Sequence, residues 1–313
     1  MKISRLLKDG LKLRFFKIHR LLLRFKIAIY PVHYYSCAVD LLELEKNRSL
    51  WAKPSDLPGL EIDLDAQIRF LEQICFPFEE EYRGNPFYRK AVELNYGPGF
   101  GYIEAQVLYA AIRHYRPRQI LEIGSGISTF CAYEALSRNG QGSITCVEPY
   151  PSRRLREFST KEGAVKLLTN PVQAMPLSLF EELRNNDLLF IDSSHVVKAG
   201  SDVNFIILEI LPRLQPGVLV HFHDIYFPYD YQRDLLETFL HNNETALLRA
   251  FLCFNKHFKI LFCLSQLHYE RPNELKQIFP EYQPQLNHDG LRDPSDPPGK
   301  HFPSSIWLQV VSE

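Results

Sequence analysis

Apolar positions in the first thirty residues recur at helical spacing. Leu7, Leu11, Phe15, Ile18, Leu22, Phe25 and Ile29 step by three or four, so at about 100° per residue they share one narrow stripe. The spacing predicts an amphipathic helix. Residues 31–60 lose the period, carry Pro31, Pro54, Pro58 and Gly59, and read as a linker. Helical spacing returns over 63–82, with Ile68, Leu71, Ile74, Cys75 and Phe78 on one side. Gly84-Asn85-Pro86 and Gly97-Pro98-Gly99 mark turns.

From residue 102 short apolar runs alternate with helical patterns. The pattern predicts a helix over 103–115, strand 119–123, helix 128–138, strand 143–148, strand 164–168, strand 187–192, helix 199–213 and strand 217–223. A helix near 230–241 follows, then strand-like runs at 258–264 and 305–311, the last without a crossover helix before it. Alternation of this kind implies a doubly wound, Rossmann-like α/β sheet. It is mostly parallel with an antiparallel last strand, and an α-helical N-terminal extension precedes it. Residues 266–304, polar and rich in Pro and Gly, read as a loop insertion of the length that lids and substrate loops have. The expected organisation is an arm and linker over 1–60, a helical lead-in over 61–98, and the α/β domain over 99–313.

Charge changes the picture at one end. The whole chain is close to neutral, with 36 Lys+Arg against 37 Asp+Glu. Residues 1–30 hold nine of those cations (Lys2, Arg5, Lys8, Lys12, Arg14, Lys17, Arg20, Arg24 and Lys26) against Asp9 alone, net +8, which leaves −9 for the remainder. A basic amphipathic helix is a surface-binding or partner-binding arm, for a membrane surface or for self-association. Its alternative is a docking helix packed on its own domain. Charges interrupt any secretory core, and no small-residue cleavage site follows. The six cysteines, Cys37, Cys75, Cys131, Cys146, Cys253 and Cys263, form no CxxC pair. A reducing, cytoplasmic setting is therefore expected. Apolar content of 45% and charge of 23% exclude a disordered chain. The acidic body argues against a nucleic-acid partner.

Candidate chemistry lies at strand ends, where open α/β sheets bind ligands. Glu122-Ile123-Gly124-Ser125-Gly126 follows a strand and opens a helix. Glycines there let a ligand approach the backbone, and helix amides meet polar groups. Glu148, about twenty residues on at the next strand end, is placed to take ribose hydroxyls. Gln173, just after the third strand, is placed to reach an adenine. The fourth strand ends in Asp192 with His195 three residues on, and the fifth in His223-Asp224. Adjacent parallel strands bring these together. Asp192, His223 and Asp224 are ligand types for a divalent cation such as Mg²⁺, Mn²⁺ or Fe²⁺, and His195 is a general base near neutral pH. Tyr102, Glu104 and Tyr226 are candidates for the substrate wall. His221 is expected to face away from the pocket or pack in the core.

Two cofactor classes share such a loop. A nicotinamide dinucleotide loop requires a third glycine where Thr129 stands. The E-x-G-x-G form resembles motif I of class I S-adenosylmethionine-dependent methyltransferases, in which the acid matching Glu122 helps organise the loop near the methionine moiety. Gly101-Tyr102-Ile103-Glu104, D-x-x-H after strand four, H-D-I after strand five, and Ser304-Ser305-Ile306-Trp307-Leu308 narrow the resemblance. They are similar to the family related to macrolide-sugar O-methyltransferases and cephalosporin-hydroxylase-type proteins, over residues 97–313. The resemblance implies an O-methyltransferase acting on a sugar or other small hydroxylated molecule. It implies S-adenosylmethionine against Gly124, Ser125 and Gly126, Mg²⁺ at positions matching Asp192 and His223-Asp224, and a base matching His195. His223 departs from that family, which has an acid there. Two other readings stay open at this stage: a nicotinamide-dependent oxidoreductase, and a non-catalytic protein of the same fold that docks through its arm.

Overall fold

The computed structural model describes residues 5–33, 35, 38–97 and 99–312, with side chains from residue 10 onward. Lys2, Cys37 and Pro98, and the side chains of Arg5, Leu7, Lys8 and Asp9, lie outside the described residues. The chain divides into two compact units, Met1–Trp51 and Ala52–Glu313.

In the first unit the predicted arm is the helix Arg5–Leu23. It stops short of Phe25 and Ile29, which the stripe had included. Lys26 takes a left-handed φ of 61°, and Ile27 N–H donates back to the Leu22 carbonyl at 3.1 Å. This closes the last turn in the manner of a helix C-cap. The expected linker also differs. Residues Leu41–Lys46 and Arg48–Trp51 are short helices, the first capped by Asp40, whose side chain accepts from Glu43 N–H.

Residues 52–60 belong to the second unit. Leu57 is buried in its core, Ser55 N–H donates to the Pro228 carbonyl at 2.9 Å, and Gly59 accepts from Phe254 N–H at 2.9 Å. Burial of one leucine and these backbone bonds turn a Pro-rich stretch into a strap. The lead-in helix Leu64–Cys75 is capped by Asp63, whose carboxylate accepts from Ala66 N–H at 2.9 Å. Pro77 breaks the predicted 63–82 helix into a tight turn and a short helix, Glu79–Tyr82.

Seven strands form the sheet: β1 Gln119–Ile123, β2 Ser143–Val147, β3 Val165–Leu168, β4 Leu188–Ile191, β5 Leu219–His223, β6 Phe258–Cys263 and β7 Ser305–Val310. Their order is β3-β2-β1-β4-β5-β7-β6. The pairs among β1 to β5 are parallel, and β7 runs antiparallel to both β5 and β6. The sheet is covered on both faces, so its central strands are buried along nearly their whole length and mostly apolar rather than alternating. Leu121, Ile123, Leu189, Ile191, Val220 and Phe222 serve one core. Ile120, Phe190, Leu219 and Trp307 serve the other. His221 joins the second face, lying parallel to Phe190 at 4.2 Å and edge-on to Trp307 at 5.0 Å. Burial holds its pKa well below the usual value, so it packs as a neutral ring.

Three other expectations change. The 199–213 helix forms, but it widens over Ile206–Ile210 and tightens over Leu211–Arg213, where Pro212 lacks a donor. No helix spans 230–241. A helix follows instead at Glu244–Leu252, because Arg233 is spent on the neighbouring loop. Its guanidinium bonds Gln285 Oε1 and the Leu286 carbonyl, and its own carbonyl accepts from Arg292 N–H. The expected 266–304 loop starts as two helices, Leu264–Glu270 and Pro272–Ile278. Their Leu267, Leu275 and Ile278 are buried in the first core, and only 283–303 keeps loop character, with a short ribbon at 287–292.

Trp307, 1% exposed between His221 and Phe262, is the largest fully buried side chain. Trp307→Ala is expected to cost about 3–5 kcal/mol, read as a lower midpoint in urea unfolding followed by far-ultraviolet circular dichroism. A loss below about 1 kcal/mol would mean that the two-faced packing around β7 is misassigned.

Candidate functional site

The glycine loop is built by contact between two strand ends. Gly124 has φ +80°, and a Cβ on it would lie 1.7 Å from the Asp192 carbonyl oxygen. The tip of β1 therefore rests directly on the backbone beyond β4, and Asp192 N–H donates to the Ile123 carbonyl at 2.8 Å. Glu122 is buried beneath. Its two oxygens accept from Ser128 Oγ and Thr129 Oγ1, both at 2.6 Å, and the Cys146 thiol lies 3.5 Å away. Thr129 Oγ1 also accepts from Gly126 N–H at 3.0 Å. The residue standing in place of a third glycine is thus the pin between Glu122 and the loop. Burial raises the Glu122 pKa to about 7, only partly offset by the Ser128 and Thr129 hydroxyls.

Glu148, half-buried at the end of β2, accepts from Ser125 N–H at 3.3 Å and from Tyr150 N–H at 2.7 Å. Ser193 Oγ is buried without a hydrogen-bond partner, and Ser125 Oγ has the Cys146 thiol beside it. Unspent polar atoms against a glycine loop fit a polar ligand. Gln173 is exposed and gives its amide to the Gly200 carbonyl at 2.9 Å, so its donor ties two turns together.

The second half is a cluster of acids and imidazoles. The β4–β5 register pairs Ile191 with Phe222, which sets Asp192 beside His223. Asp192 Oδ1 lies 3.2 Å from His195 Nε2 and 3.4 Å from His223 Nδ1. Asp224 reaches both rings, at 3.6 Å and 3.4 Å. His195 and Asp224 both adopt left-handed backbone, φ 56° and 53°, a conformation costly for such residues and held by its surroundings. Glu244, fully buried, holds His195 Nδ1 at 2.8 Å. Glu104 lies 3.1 Å from His223 Nε2 and accepts from Ser304 N–H at 2.9 Å. Ser304 Oγ donates to Asp224 Oδ1 at 2.9 Å. Gly101 must be glycine here, because the Glu104 carboxylate occupies the place of its Cβ.

These contacts bear on two expectations. His195 is held among acids rather than left free. Burial disfavours its cation, but hydrogen bonds to Asp192 and Glu244 and the Asp224 charge outweigh that and push its pKa up to about 10. The adjacent His223 and His195 outweigh the burial of Asp192 and hold its carboxyl well below the usual range. Glu104, expected on the substrate wall, turns its carboxylate inward on His223 while still edging the cleft described below.

The metal trio also shifts. Asp192, His195 and His223 each offer a ligand atom within 4.8 Å of the others, whereas Asp224 is drawn toward Ser304. Neither nitrogen of His223 makes a well-directed hydrogen bond, and Glu244 Oε1 is buried without a partner. Four carboxyl groups around two imidazoles, with unspent buried nitrogens, fit a divalent cation.

Tyr102 donates to Glu281 Oε2 at 2.9 Å, and its ring stacks on His301 at 5.3 Å. It lines a cleft of about 370 Å³ with Tyr88, Glu104, Gln285, Lys300 and Phe302. Tyr226 is buried behind it, parallel to Phe302 at 6.2 Å. The sequence reading missed Glu244 and the role of Ser304. Glu244 follows a polar Asn pair and carries no local signature, since only the fold brings it beneath His195.

Residues 121–225 match the family described as a methyltransferase domain. An uncharacterized protein of Archaeoglobus fulgidus is 30% identical over 166 residues, covering 50% of this chain and 74% of that one. Among solved structures, a putative O-methyltransferase from Klebsiella pneumoniae is similar at 15% identity, over 76% of this chain and 95% of that one, with a TM-score of 0.44. The O-methyltransferase TomG from Streptomyces achromogenes, in complex with SAM, is similar at 13% identity over 72% and 90%, with a TM-score of 0.43. Residues 121–225 therefore carry a methyltransferase domain, the domain of the expected S-adenosylmethionine-dependent enzyme class. A nicotinamide-dependent oxidoreductase is not the class that this match supports.

The raised Glu122 pKa has a defined consequence. The folded state binds this proton more tightly than the unfolded chain, so the associated stability is present below about pH 4.5 and is lost as pH rises through about 7. Relative to Glu122→Gln, the wild type is expected to lose on the order of 3 kcal/mol across that window. Urea midpoints of both proteins from pH 4.5 to 8 measure it, and parallel profiles would show that Glu122 titrates normally.

Proposed function

We propose that this enzyme transfers the methyl group of S-adenosylmethionine to a hydroxyl of a small molecule, with a sugar as the acceptor class. The carrying observation is the Gly124–Asp192 contact, which puts the donor loop and the acid–histidine cluster back to back. Gly124, Ser125 and Gly126 would lie against the methionine portion, Glu122 would hold the loop rigid from below, and Glu148 would take the ribose hydroxyls. Gln173 would sit at the adenine side. The sugar preference rests on the family resemblance, and the polar and aromatic lining of the cleft is compatible with it.

The acceptor enters from the cleft edged by Tyr102 and Glu104 and meets the ends of β4 and β5. Much of the rate comes from holding its oxygen in line with the sulfonium methyl. A neutral hydroxyl must lose a proton as it attacks. Asp224, side chain 27% exposed and so the most accessible group of the cluster, is the acceptor of that proton. His195, clamped by Glu244, Asp192 and Asp224, orients both aspartates. A divalent cation, when bound, would be held by Asp192 and by ring nitrogens of His195 and His223 in place of the protons those rings otherwise carry, and would polarise the acceptor hydroxyl. Tyr226 supports the wall through Phe302.

Calorimetry with S-adenosylmethionine is expected to give one saturable site. Gly124→Val should abolish it, because no side chain fits against the Asp192 carbonyl. Wild-type protein that fails to bind would remove the proposal at its root. Asp224→Asn is expected to leave cofactor affinity within about twofold. It should lower methyl transfer to a panel of hydroxylated acceptors by about 10²–10⁴, measured with isotopically labelled cofactor. Full turnover in this variant would move the base elsewhere.

A further inference from the structure

The helix Arg5–Leu23 presents two kinds of surface that no other described element combines. Leu11, Leu13, Phe15, Phe16, Ile18, Leu21 and Leu23 are each 40–64% exposed. Between them Lys12, Arg14, Lys17 and Arg20 are exposed as well, and no ion pair joins any of them to another side chain among the described residues. Single exposed leucines are ordinary, but Leu11, Phe15 and Ile18 recur at helical spacing on one face, and Leu13, Phe16, Leu21 and Leu23 add exposed apolar surface around them, more than an unpartnered helix ordinarily shows. No helix among the described residues is long and apolar enough to cross a membrane.

Three occupants compete for this surface. A nucleic acid satisfies the cations and leaves Phe15, Phe16 and Ile18 in water. A second copy of the helix covers the apolar side chains and brings two sets of cations together. An anionic bilayer surface satisfies both: acyl chains take the leucines and phenylalanines while headgroups meet the lysines and arginines. The long cationic stems lie along the apolar boundary with their charges at headgroup level.

We infer that residues 5–23 form an amphipathic anchor that lies in the plane of an anionic lipid surface and holds the methyltransferase peripherally on it. Both forces are required at once. The apolar patch alone is interrupted by charge, and the charge alone is screened within a Debye length of the surface. The anchor does not depend on the acceptor chosen by the active site, so its test is separable from that of the proposed chemistry.

The full chain is floated with vesicles of phosphatidylcholine containing about one third phosphatidylglycerol, and with phosphatidylcholine alone. Co-flotation with the anionic vesicles is expected, weakened roughly tenfold on neutral vesicles and again on raising the salt severalfold. The triple variant Leu11→Ser, Phe15→Ser, Ile18→Ser and the triple variant Lys12→Glu, Lys17→Glu, Arg20→Glu should each release the protein. Cofactor affinity should stay at the wild-type value in both, which shows that the second unit is folded. Flotation of both variants equal to wild type overturns the inference. So does wild-type protein that stays with the soluble fraction while sedimenting as a dimer that either variant dissolves, since that assigns the face to a second copy. Tight binding to a random single-stranded RNA with no vesicle binding overturns it in favour of nucleic acid.

Discussion

Direct contact between the turn after β1 and the backbone beyond β4 is the constraint on which the site depends. With no atom beyond Cα at position 124, the carbonyl of Asp192 closes against the loop. In the proposed function two chemical tasks thereby share a wall. The face above Gly124 would receive the donor, and the side chain of Asp192 points into the acid–histidine cluster. Glu122 explains how the loop is held in this shape. A buried carboxyl bonded to two hydroxyls at 2.6 Å anchors the first helical turn to the strand below it. The loop is accordingly preorganised, and little ordering remains to be done when a ligand arrives.

The acid–histidine cluster follows a different logic. Desolvation opposes charge on Asp192, His195 and His223, and groups of opposite sign within 4 Å outweigh it at each of them. Removing one member of such a network leaves its partner buried and uncompensated, which costs more than the pair contributes. The geometry is therefore rigid in composition as well as in space. It explains why two residues adopt left-handed backbone at the strand ends, since only that turn returns the side chains of His195 and Asp224 to the centre.

Much of this was legible along the chain because parallel strands and their helices write themselves as periodic apolar runs. The bounds of β1 were read to the residue, and the antiparallel last strand was inferred from a missing crossover. The cluster was legible in part. Asp192, His195, His223 and Asp224 stand next to strand ends, where topology gathers them. Glu244, Glu104 and Ser304 reach the same centre from a later helix, an earlier helix and the start of β7, and no spacing rule connects positions so far apart. The surroundings of His195 were hidden for the same reason, because a histidine's proton affinity depends on partners, here Asp192 and Glu244, that the linear order does not show. The 230–241 helix was misread for a tertiary reason, since the contacts of Arg233 with Gln285 and Leu286 outbid local propensity.

Ser304 sits one residue before β7 and hydrogen-bonds Glu104 and Asp224 at once. β7 is also the strand that slides between β5 and β6. The acid–histidine cluster is therefore complete only when this strand is in place. Until this strand is threaded into the sheet, β5 and β6 have no common neighbour, and the two carboxylates at the bottom of the cleft lack the serine that pins them. Pairings so distant in sequence form slowly. A chain folding from its first unit onward would hold a shaped donor loop well before it holds a competent acceptor site, which separates readiness to bind from readiness to react in time as well as in space.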